Sequence, residues 1–204
     1  MKHAIIPLFI PHWGCPHQCV FCNQVRITGR STSVTAQDIE KIIREYVPVR
    51  DDSRYWEAAF YGGSFTALPV KVMEELLKPA KQALDEGRIR AIRLSTRPDC
   101  ITPEILRLLK RYGVKTVELG VQSLDPQVLK KAERGHTAED ARQAAVLLRQ
   151  NDFSVGLQFM IGLPGEDWES MRYTARQGVR LNPDFIRIYP VLVLEGTALG
   201  QMYR

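Results

Sequence analysis

The sequence has few cysteines and no long apolar segment. Four cysteines in 204 residues are too few and too unevenly spaced for the disulfide framework of a small secreted protein. No segment approaches the ~18 consecutive apolar residues that a membrane helix needs. The apolar stretch Ala4–Ile10 is too short and too interrupted by proline for a signal peptide. We therefore expect a cytoplasmic protein that does not associate with membranes.

A strong charge of one sign is also lacking. The net charge is +5, with 45% apolar and 25% charged residues, which excludes disorder, collagen-like repeats and coiled coil as the main state. The length suits one domain or a tight pair. Basic residues are densest over Arg107–Lys115. We interpret this stretch as a solvated helix face, while a local patch of this kind can also contact nucleic acid.

Strands and helices alternate along the whole chain. Apolar runs predict six strands, over Ala4–Ile10, Trp56–Tyr61, Ile89–Thr96, Val114–Val121, Phe153–Gly162 and Asp184–Val191. Helical spacing and capping residues predict five helices between them, beginning near Thr35, Val70, Thr102, Thr137 and Asp167. This alternation predicts a parallel sheet, either doubly wound or barrel-like. In a barrel, the polar and glycine-rich loops after successive strands would gather at one mouth.

Three of the four cysteines fall within eight residues, as Cys15, Cys19 and Cys22 in CPHQCVFC. Three thiolates on one short loop can ligate three irons of a four-iron cluster and leave the fourth open, whereas electron-transfer clusters use four cysteines. An open position likewise distinguishes catalytic from structural zinc sites. Two alternatives remain, a zinc site completed by His12 or His17 and a set of three unrelated buried thiols.

Two nearby features are less specific. Phe21 lies between two of these cysteines and can either pack in the interior or shield a cluster from water. Cys100 is distant in sequence, so we interpret it as a packed thiol.

The cysteine spacing and the loops after the later strands resemble those of radical SAM enzymes. The segments STRPD, VELGVQS, ERGHT and GLPGED are similar to the radical SAM portion of the Elongator catalytic subunit family, and less similar to oxygen-independent coproporphyrinogen oxidases. The resemblance covers essentially the whole chain. It implies a partial (βα)6 barrel of the TIM type, a 4Fe-4S cluster on the three clustered cysteines, and S-adenosylmethionine (SAM) on the open iron. It also implies reductive cleavage of SAM to a deoxyadenosyl radical that abstracts hydrogen from a substrate.

The resemblance further implies a set of cofactor-binding residues, namely Gly62, Gly63, Ser64, Arg97, Gln122, Arg134, Gln158, Gly162 and Tyr189. The first three would hold the methionine ammonium through carbonyl or hydroxyl groups, with Ser64 where glutamate is commoner. Arg134 would lie near the methionine carboxylate. Gly162 and Tyr189 would approach the adenine.

Several of these positions also have a purely structural interpretation. Gly62-Gly63 can form a simple turn, Arg97 can pair with Asp99 and cap the next helix, and Arg134 can be a surface arginine. We interpret the neighbouring His136 as a turn residue rather than a proton donor.

Three residues of the fourth predicted strand share one face, Glu118, Gly120 and Gln122. Polar groups on an interior face suit a ligand cavity. Glu118 can alternatively be satisfied by a neighbouring basic residue.

The sequence supports two functional hypotheses. In the first, residues 1–204 form the radical SAM core of an enzyme that acts on RNA or another large substrate, with an electron donor such as flavodoxin or ferredoxin. In the second, the chain is a non-catalytic iron–sulfur or electron-transfer module that needs a partner. Both families that it resembles carry a C-terminal domain not recognisable here, so we expect a core that is truncated relative to them. The sequence predicts neither the substrate nor the oligomeric state.

Overall fold

The computed structural model describes residues 2–10, 15, 17–23 and 34–204. Its elements are, in chain order, β1 (Lys2–Ile10), α1 (Ala36–Tyr46), β2 (Arg54–Gly62), α2 (Val70–Asp85), β3 (Ala91–Thr96), α3 (Pro103–Arg111), β4 (Val114–Gln122), α4 (Pro126–Lys131), α5 (Ala138–Gln150), β5 (Ser154–Ile161), α6 (Trp168–Arg180), β6 (Phe185–Pro190) and α7 (Ala198–Met202). Short 3-10 turns follow β2 and β3. No helix in these ranges is long and apolar enough to cross a lipid bilayer.

The six strands form one parallel sheet in the order β1-β2-β3-β4-β5-β6. Because the spatial order follows the chain order, the sheet has no reversal point and is not doubly wound. The sheet curls into a half-barrel with β1 and β6 at its open edges. The predicted partial barrel is confirmed.

Burial separates the two faces of the sheet. In β1, Ile6 and Leu8 are buried in the main core, which they share with apolar residues of the surrounding helices. Ile5 and Phe9, on the other face, line the hollow inside the half-barrel. This alternation follows from the two-residue period of a strand. The helices therefore cover the outside of the sheet, and the inside remains accessible to a ligand.

The sequence locates every strand to within two residues, but it does not reveal two short helices. All five predicted helices lie between strands, whereas the structure has a further helix, α7, after β6. A second helix, α4, lies between β4 and α5. These helices have five and six residues, which is too short for a helical period to show in the sequence. Asp125 and Pro126 do cap and begin α4, so a local signal was present.

Candidate cofactor site

The three clustered cysteines and most of the predicted cofactor-binding residues meet at one end of the half-barrel, where the strands have their C-terminal ends. They line a cavity of about 120 Å³. Seven of the nine predicted residues take part, which are Gly62, Gly63, Ser64, Arg97, Gln122, Arg134 and Gln158. His17 and Gly120 also line the cavity, as do three residues that were not predicted to belong to the site, Gln18, Ser95 and Thr96.

Two predicted residues lie elsewhere. Tyr189 lines an adjoining cavity of about 590 Å³ inside the half-barrel. Gly162 lines neither cavity, and its N–H donates to Oε2 of Glu166 at 2.6 Å. That carboxylate closes the turn after β5, so the backbone N–H of Gly162 is already hydrogen-bonded within the protein.

The cysteine loop is held by the two helices that the sequence did not reveal. The N–H of Val20 donates to the carbonyl of Ala132, at the end of α4, over 3.2 Å. The N–H of Leu199, in α7, donates to the carbonyl of Val20 over 2.8 Å. Cys22 N–H donates to Cys19 O over 3.0 Å, which turns the chain between these two cysteines. The short helices therefore fix the loop against the barrel mouth.

None of the four cysteines takes part in a disulfide bond. Burial raises the pKa of Cys15, against a lowering effect of the Ser64 backbone. Burial likewise raises the pKa of Cys100, which does not line the cavity. Among the described residues, no three His, Cys, Asp or Glu side chains are already grouped as a metal site.

The zinc alternative requires His12 or His17 as a further ligand beside the three cysteines. His12 lies outside the described residues. His17 is exposed, and its ring covers Gly135, where an added Cβ would lie 2.3 Å from the ring. Its imidazole therefore packs on the turn before α5.

Arg134 forms one wall of the cavity. It is 8% exposed, so the interpretation as a surface arginine is wrong. Its Nη1 lies 3.2 Å from Sγ of Cys19, and its Nη2 donates to the carbonyl of Gly120 over 2.6 Å. A Cβ on Gly120 would lie 3.0 Å from that Nη2, so the glycine makes room for the guanidinium. Nε of Arg134 is buried without a hydrogen-bond partner.

Gln122 also lies beside Gly120, where an added Cβ would be 3.1 Å from Nε2 of Gln122, and it has a strained backbone conformation. Its φ is +67°, and the pairing of β4 with β5 is irregular between Gly120 and Gln122. Residues other than glycine rarely adopt this left-handed backbone conformation, and those that do are often found at ligand-binding sites. Its Oε1 is also buried without a partner. Two residues that line the cavity, Gln122 and Arg134, thus each keep one buried polar atom, an acceptor and a donor respectively, without a hydrogen-bond partner.

Two other predicted residues are already hydrogen-bonded within the protein. The Ser64 hydroxyl is 3.0 Å from Oγ1 of Thr96 and accepts from the N–H of Arg97 over 3.2 Å. Arg97 makes a bidentate pair with Asp99, at 2.9 Å for both contacts, and donates to the carbonyl of Arg134 over 2.7 Å. The predicted Arg97–Asp99 pair is therefore present, although Thr102 rather than this pair caps α3.

Gly62 is required by the packing of the strands. Its φ is +108°, and an added Cβ would lie 2.7 Å from the carbonyl oxygen of Ile10. That carbonyl accepts from the N–H of Gly63 over 2.8 Å. The turn is therefore tied to the strand that leads into the cysteine loop.

Glu118 is the centre of a second polar region. It is fully buried and accepts from Nη1 of Arg93 at 3.0 Å and from Nε of Arg187 at 2.8 Å. Gln158 Nε2 donates to it over 2.9 Å and Tyr61 Oη over 3.2 Å. The alternative in which basic neighbours satisfy this carboxylate is confirmed.

The network around Glu118 joins the cofactor cavity to the larger cavity in the half-barrel. Gln158 lines both cavities, and Tyr61 and Arg187 line the larger one. Burial, with the nearby Glu118 charge, raises the pKa of Tyr61 to about 12, so its hydroxyl remains protonated at neutral pH. The two guanidinium groups were not predicted, although Arg187 and Tyr189 alternate along β6 in a way that indicated a shared face.

His136 is buried beside Arg134. Its Nε2 lies 3.2 Å from the carbonyl of Val121, whereas its Nδ1 has no partner. Burial, together with the charges of Arg134 and Arg97, lowers the pKa of His136 to about 3. The imidazole is therefore neutral near pH 7, which agrees with a structural role.

A family model described as the Radical SAM superfamily matches residues 10–177. The chain belongs to the radical SAM superfamily. It is 34% identical to the tRNA uridine(34) acetyltransferase of Methanocaldococcus jannaschii, over 98% of this chain and 44% of that protein. Among solved structures, an N-terminally deleted Elp3 of Methanocaldococcus infernus is 25% identical with a TM-score of 0.76, over 99% of this chain and 49% of that one.

Escherichia coli coproporphyrinogen III oxidase (HemN) has the same fold, with a TM-score of 0.73 and 20% identity over 98% of this chain and 46% of that one. The resemblance to Elongator and coproporphyrinogen oxidases is thus confirmed. The radical SAM chain spans about half the length of each of these relatives.

The cofactors of the superfamily, a 4Fe-4S cluster and SAM, agree with the predicted ones. The residues of the cavity fit them. Three cysteines that are not in disulfide bonds meet the requirement for cysteine ligands. The unpartnered Oε1 of Gln122 and Nε of Arg134 fit a ligand that, like SAM, carries both donors and a carboxylate.

Proposed function

We propose that this chain is a radical SAM enzyme core in which Cys15, Cys19 and Cys22 hold the 4Fe-4S cluster and the same cavity binds SAM. One observation carries the proposal: these thiols share a cavity with two buried polar atoms, of Gln122 and Arg134, that have no partner. Buried polar groups in proteins are otherwise almost always hydrogen-bonded. A cavity that leaves two of them open is arranged for a polar ligand.

The residues around the cavity have distinct roles in this proposal. Arg134 provides positive charge toward the methionine carboxylate, and Gln122 accepts from a SAM hydroxyl or amine. The backbone of Gly62-Gly63 faces the ammonium, because the Ser64 hydroxyl is already used by Thr96. When bound, the reduced cluster supplies the electron that cleaves the sulfonium of SAM. Phe21 lines both cavities and excludes water between them.

We further propose that the substrate is an RNA. The similarity to a tRNA uridine(34) acetyltransferase and the net charge of +5 support this class. The larger cavity adjoins the cofactor cavity and has aromatic walls at Phe9, Tyr61 and Tyr189, which suits the stacking of an unpaired base.

The electron donor in this proposal is a small redox protein such as flavodoxin or ferredoxin. Exposed His17 and Gln18 lie on the cysteine loop, so this loop can be approached from solvent. Four cysteines without a disulfide bond suit a reducing compartment, and we propose the cytoplasm.

Anaerobic reconstitution with iron and sulfide, followed by dithionite and SAM, tests the enzyme proposal. We expect about four irons per chain and formation of 5′-deoxyadenosine, measured by chromatography. A Cys19→Ala variant should lose the cluster and the cleavage. Cys100→Ala is the matched control, because that thiol does not line the cavity, and it should retain both.

Each contrary result has a distinct meaning. A reducible cluster without deoxyadenosine would favour the non-catalytic electron-transfer module. Bound zinc without iron would overturn both hypotheses. Cleavage by the Cys19→Ala variant would show that the ligand assignment is wrong.

A further inference from the structure

The exposed face of α6 carries a row of arginines that nothing in the cofactor chemistry uses. Arg172, Arg176 and Arg180 recur at every fourth residue and are all exposed. We call these three residues the arginine ridge. The ridge borders a shallow groove of about 400 Å³ lined by Glu169, Arg172, Tyr173, Arg176, Gln177 and Arg180. At 1.5 Å per residue the ridge is about 12 Å long.

The arginine ridge is uncompensated, unlike the other arginines of the described surface. Among the arginines of the described ranges, only these three have no hydrogen bond, ion pair or ring contact. Glu169 shares the groove but makes no ion pair within 4.0 Å in the described part of the chain.

The stretch with the densest basic sequence is, by contrast, neutralised. Arg107 pairs with Glu104, and Arg111 pairs with Glu74 on α2. Lys110 lies 3.9 Å from Asp152. The densest basic stretch in the sequence is therefore mostly ion-paired, whereas the described arginines that have no partner all lie on α6.

The arrangement on α6 is unfavourable unless a polyanion is bound. Arginines one helical turn apart repel each other, whereas Arg44, Arg107 and Arg142 on other helices each pair with a glutamate three or four residues earlier. Guanidinium groups bind phosphates with two parallel hydrogen bonds. A row of them along one helix therefore matches a ligand that carries several phosphates in line.

We propose that the arginine ridge binds the phosphate backbone of RNA. The inference rests on the proposed RNA substrate and locates where that RNA contacts the chain. Two aromatic side chains favour RNA over other polyanions, because Tyr173 in the groove and Trp168 at the start of α6 are 40% and 76% exposed and can stack on unpaired bases. α6 follows β5 by a short loop at the barrel mouth, so the ridge leads away from the cofactor cavity along the outside of the half-barrel.

The test is RNA binding by the full chain, measured by fluorescence anisotropy with a labelled RNA stem–loop across a salt series. The variant is Arg172→Ala, Arg176→Ala, Arg180→Ala. The matched control is Arg44→Ala, Arg107→Ala, Arg142→Ala, which removes the same charge from ion-paired positions. We expect the ridge variant to bind at least tenfold more weakly and to lower the slope of log K against log salt by about 2. The control should change both much less, and circular dichroism should show that both variants are folded.

The other outcomes overturn the proposal in distinguishable ways. If the wild-type chain binds RNA and the ridge variant binds it equally well, the ridge assignment is wrong and the RNA substrate stands. If both variants weaken RNA binding equally, binding depends only on the net charge of the chain, and the arginine ridge has no special role. If the wild-type chain binds phosphatidylglycerol vesicles but no RNA, the ridge is a membrane contact and the RNA substrate is also wrong. Deoxyadenosine formation without RNA is measured separately, so none of these results decides the cofactor chemistry.

Discussion

Two polar regions lie next to each other inside the half-barrel, and they differ in whether their hydrogen bonds are complete. Around Glu118, two arginines, an amide and a phenol satisfy one carboxylate. Around the cysteines, Gln122 and Arg134 each keep a buried atom without a partner. The first region is self-sufficient and contributes to the fold. The second is complete only when a ligand supplies the missing donors and acceptors, and it is therefore where binding is expected.

The largest difference between the regions should appear when Glu118 is replaced by alanine. This change leaves the buried guanidinium of Arg93 with one carboxylate fewer and leaves Arg187 unpaired, so we expect about 3 kcal/mol loss in the free energy of unfolding. Urea denaturation of the apo chain measures it. Glu139→Ala, in the exposed pair with Arg142, is the control and should cost about 0.5 kcal/mol or less. Equal losses would mean that the Glu118 network does not stabilise the fold.

The pH dependence of the free energy of unfolding should show the effect of burying His136, which lies beside Arg134 at the edge of the region around the cysteines. In the unfolded chain this imidazole binds a proton below about pH 6.5, whereas its pKa in the folded chain is lowered to about 3. The unfolded state thus binds more protons in this window, so stability falls as the pH decreases, by up to about 1.4 kcal/mol per pH unit. His136→Gln should flatten this acid limb in urea titrations between pH 6.5 and 4.5. The exposed His17→Gln should not, and an unchanged slope in His136→Gln would contradict burial as the cause.

Replacing Arg134 by lysine should separate binding from folding. Lysine keeps the positive charge but cannot contact Cys19 and Gly120 at the same time, since it lacks the fork of two nitrogens. We expect the KM for SAM in the cleavage assay to rise about tenfold, equivalent to about 1.4 kcal/mol. Arg142→Lys, on the surface of α5, should leave KM unchanged. An unchanged KM for SAM in Arg134→Lys would show that Arg134 supports the fold and does not bind SAM.

The smallest change in stability is expected when Gln122 is replaced. Here the apo chain should become more stable while its binding of SAM becomes weaker. Glycine tolerates its φ of +67°, so Gln122→Gly should stabilise the apo chain by about 0.5 kcal/mol while weakening SAM binding in equilibrium dialysis. Gln127→Gly, at an exposed position of the neighbouring helix α4, should only destabilise. If Gln122→Gly is less stable than the wild-type chain, the glutamine contributes to the fold, as the residues around Glu118 do.

Much of the fold could be predicted because parallel strands buried on their outer face leave strong apolar runs. FSVGLQFMIG, for example, indicates β5 almost to the residue. The three cysteines could be found for the same reason, since their spacing is local in sequence. The partners of Glu118 could not, because Arg93 and Arg187 come from strands on either side and are 25 and 69 residues distant.

The local backbone conformation and the pairing of surface charges also could not be predicted from the sequence. The irregularity at Gln122 depends on how β4 pairs with β5, and the short helices α4 and α7 are specified by caps rather than by periodicity. The charge state of the surface also depends on neighbours in space. Arg111 is neutralised by Glu74 from another helix, whereas Arg176 has only like charges one turn away on its own helix.

The sequential order of the strands has a consequence for how this protein is made. Each strand pairs only with the strands immediately before and after it in the chain, so no strand waits for a partner that is synthesised much later. As the chain leaves the ribosome, each new strand and its helix can add to the edge of the sheet already formed. The cysteine loop follows the first of these strands, yet the two helices that hold it come from the middle and the last part of the chain. The scaffold can therefore assemble in order, while the cofactor loop acquires its final supports only when α7 has been synthesised.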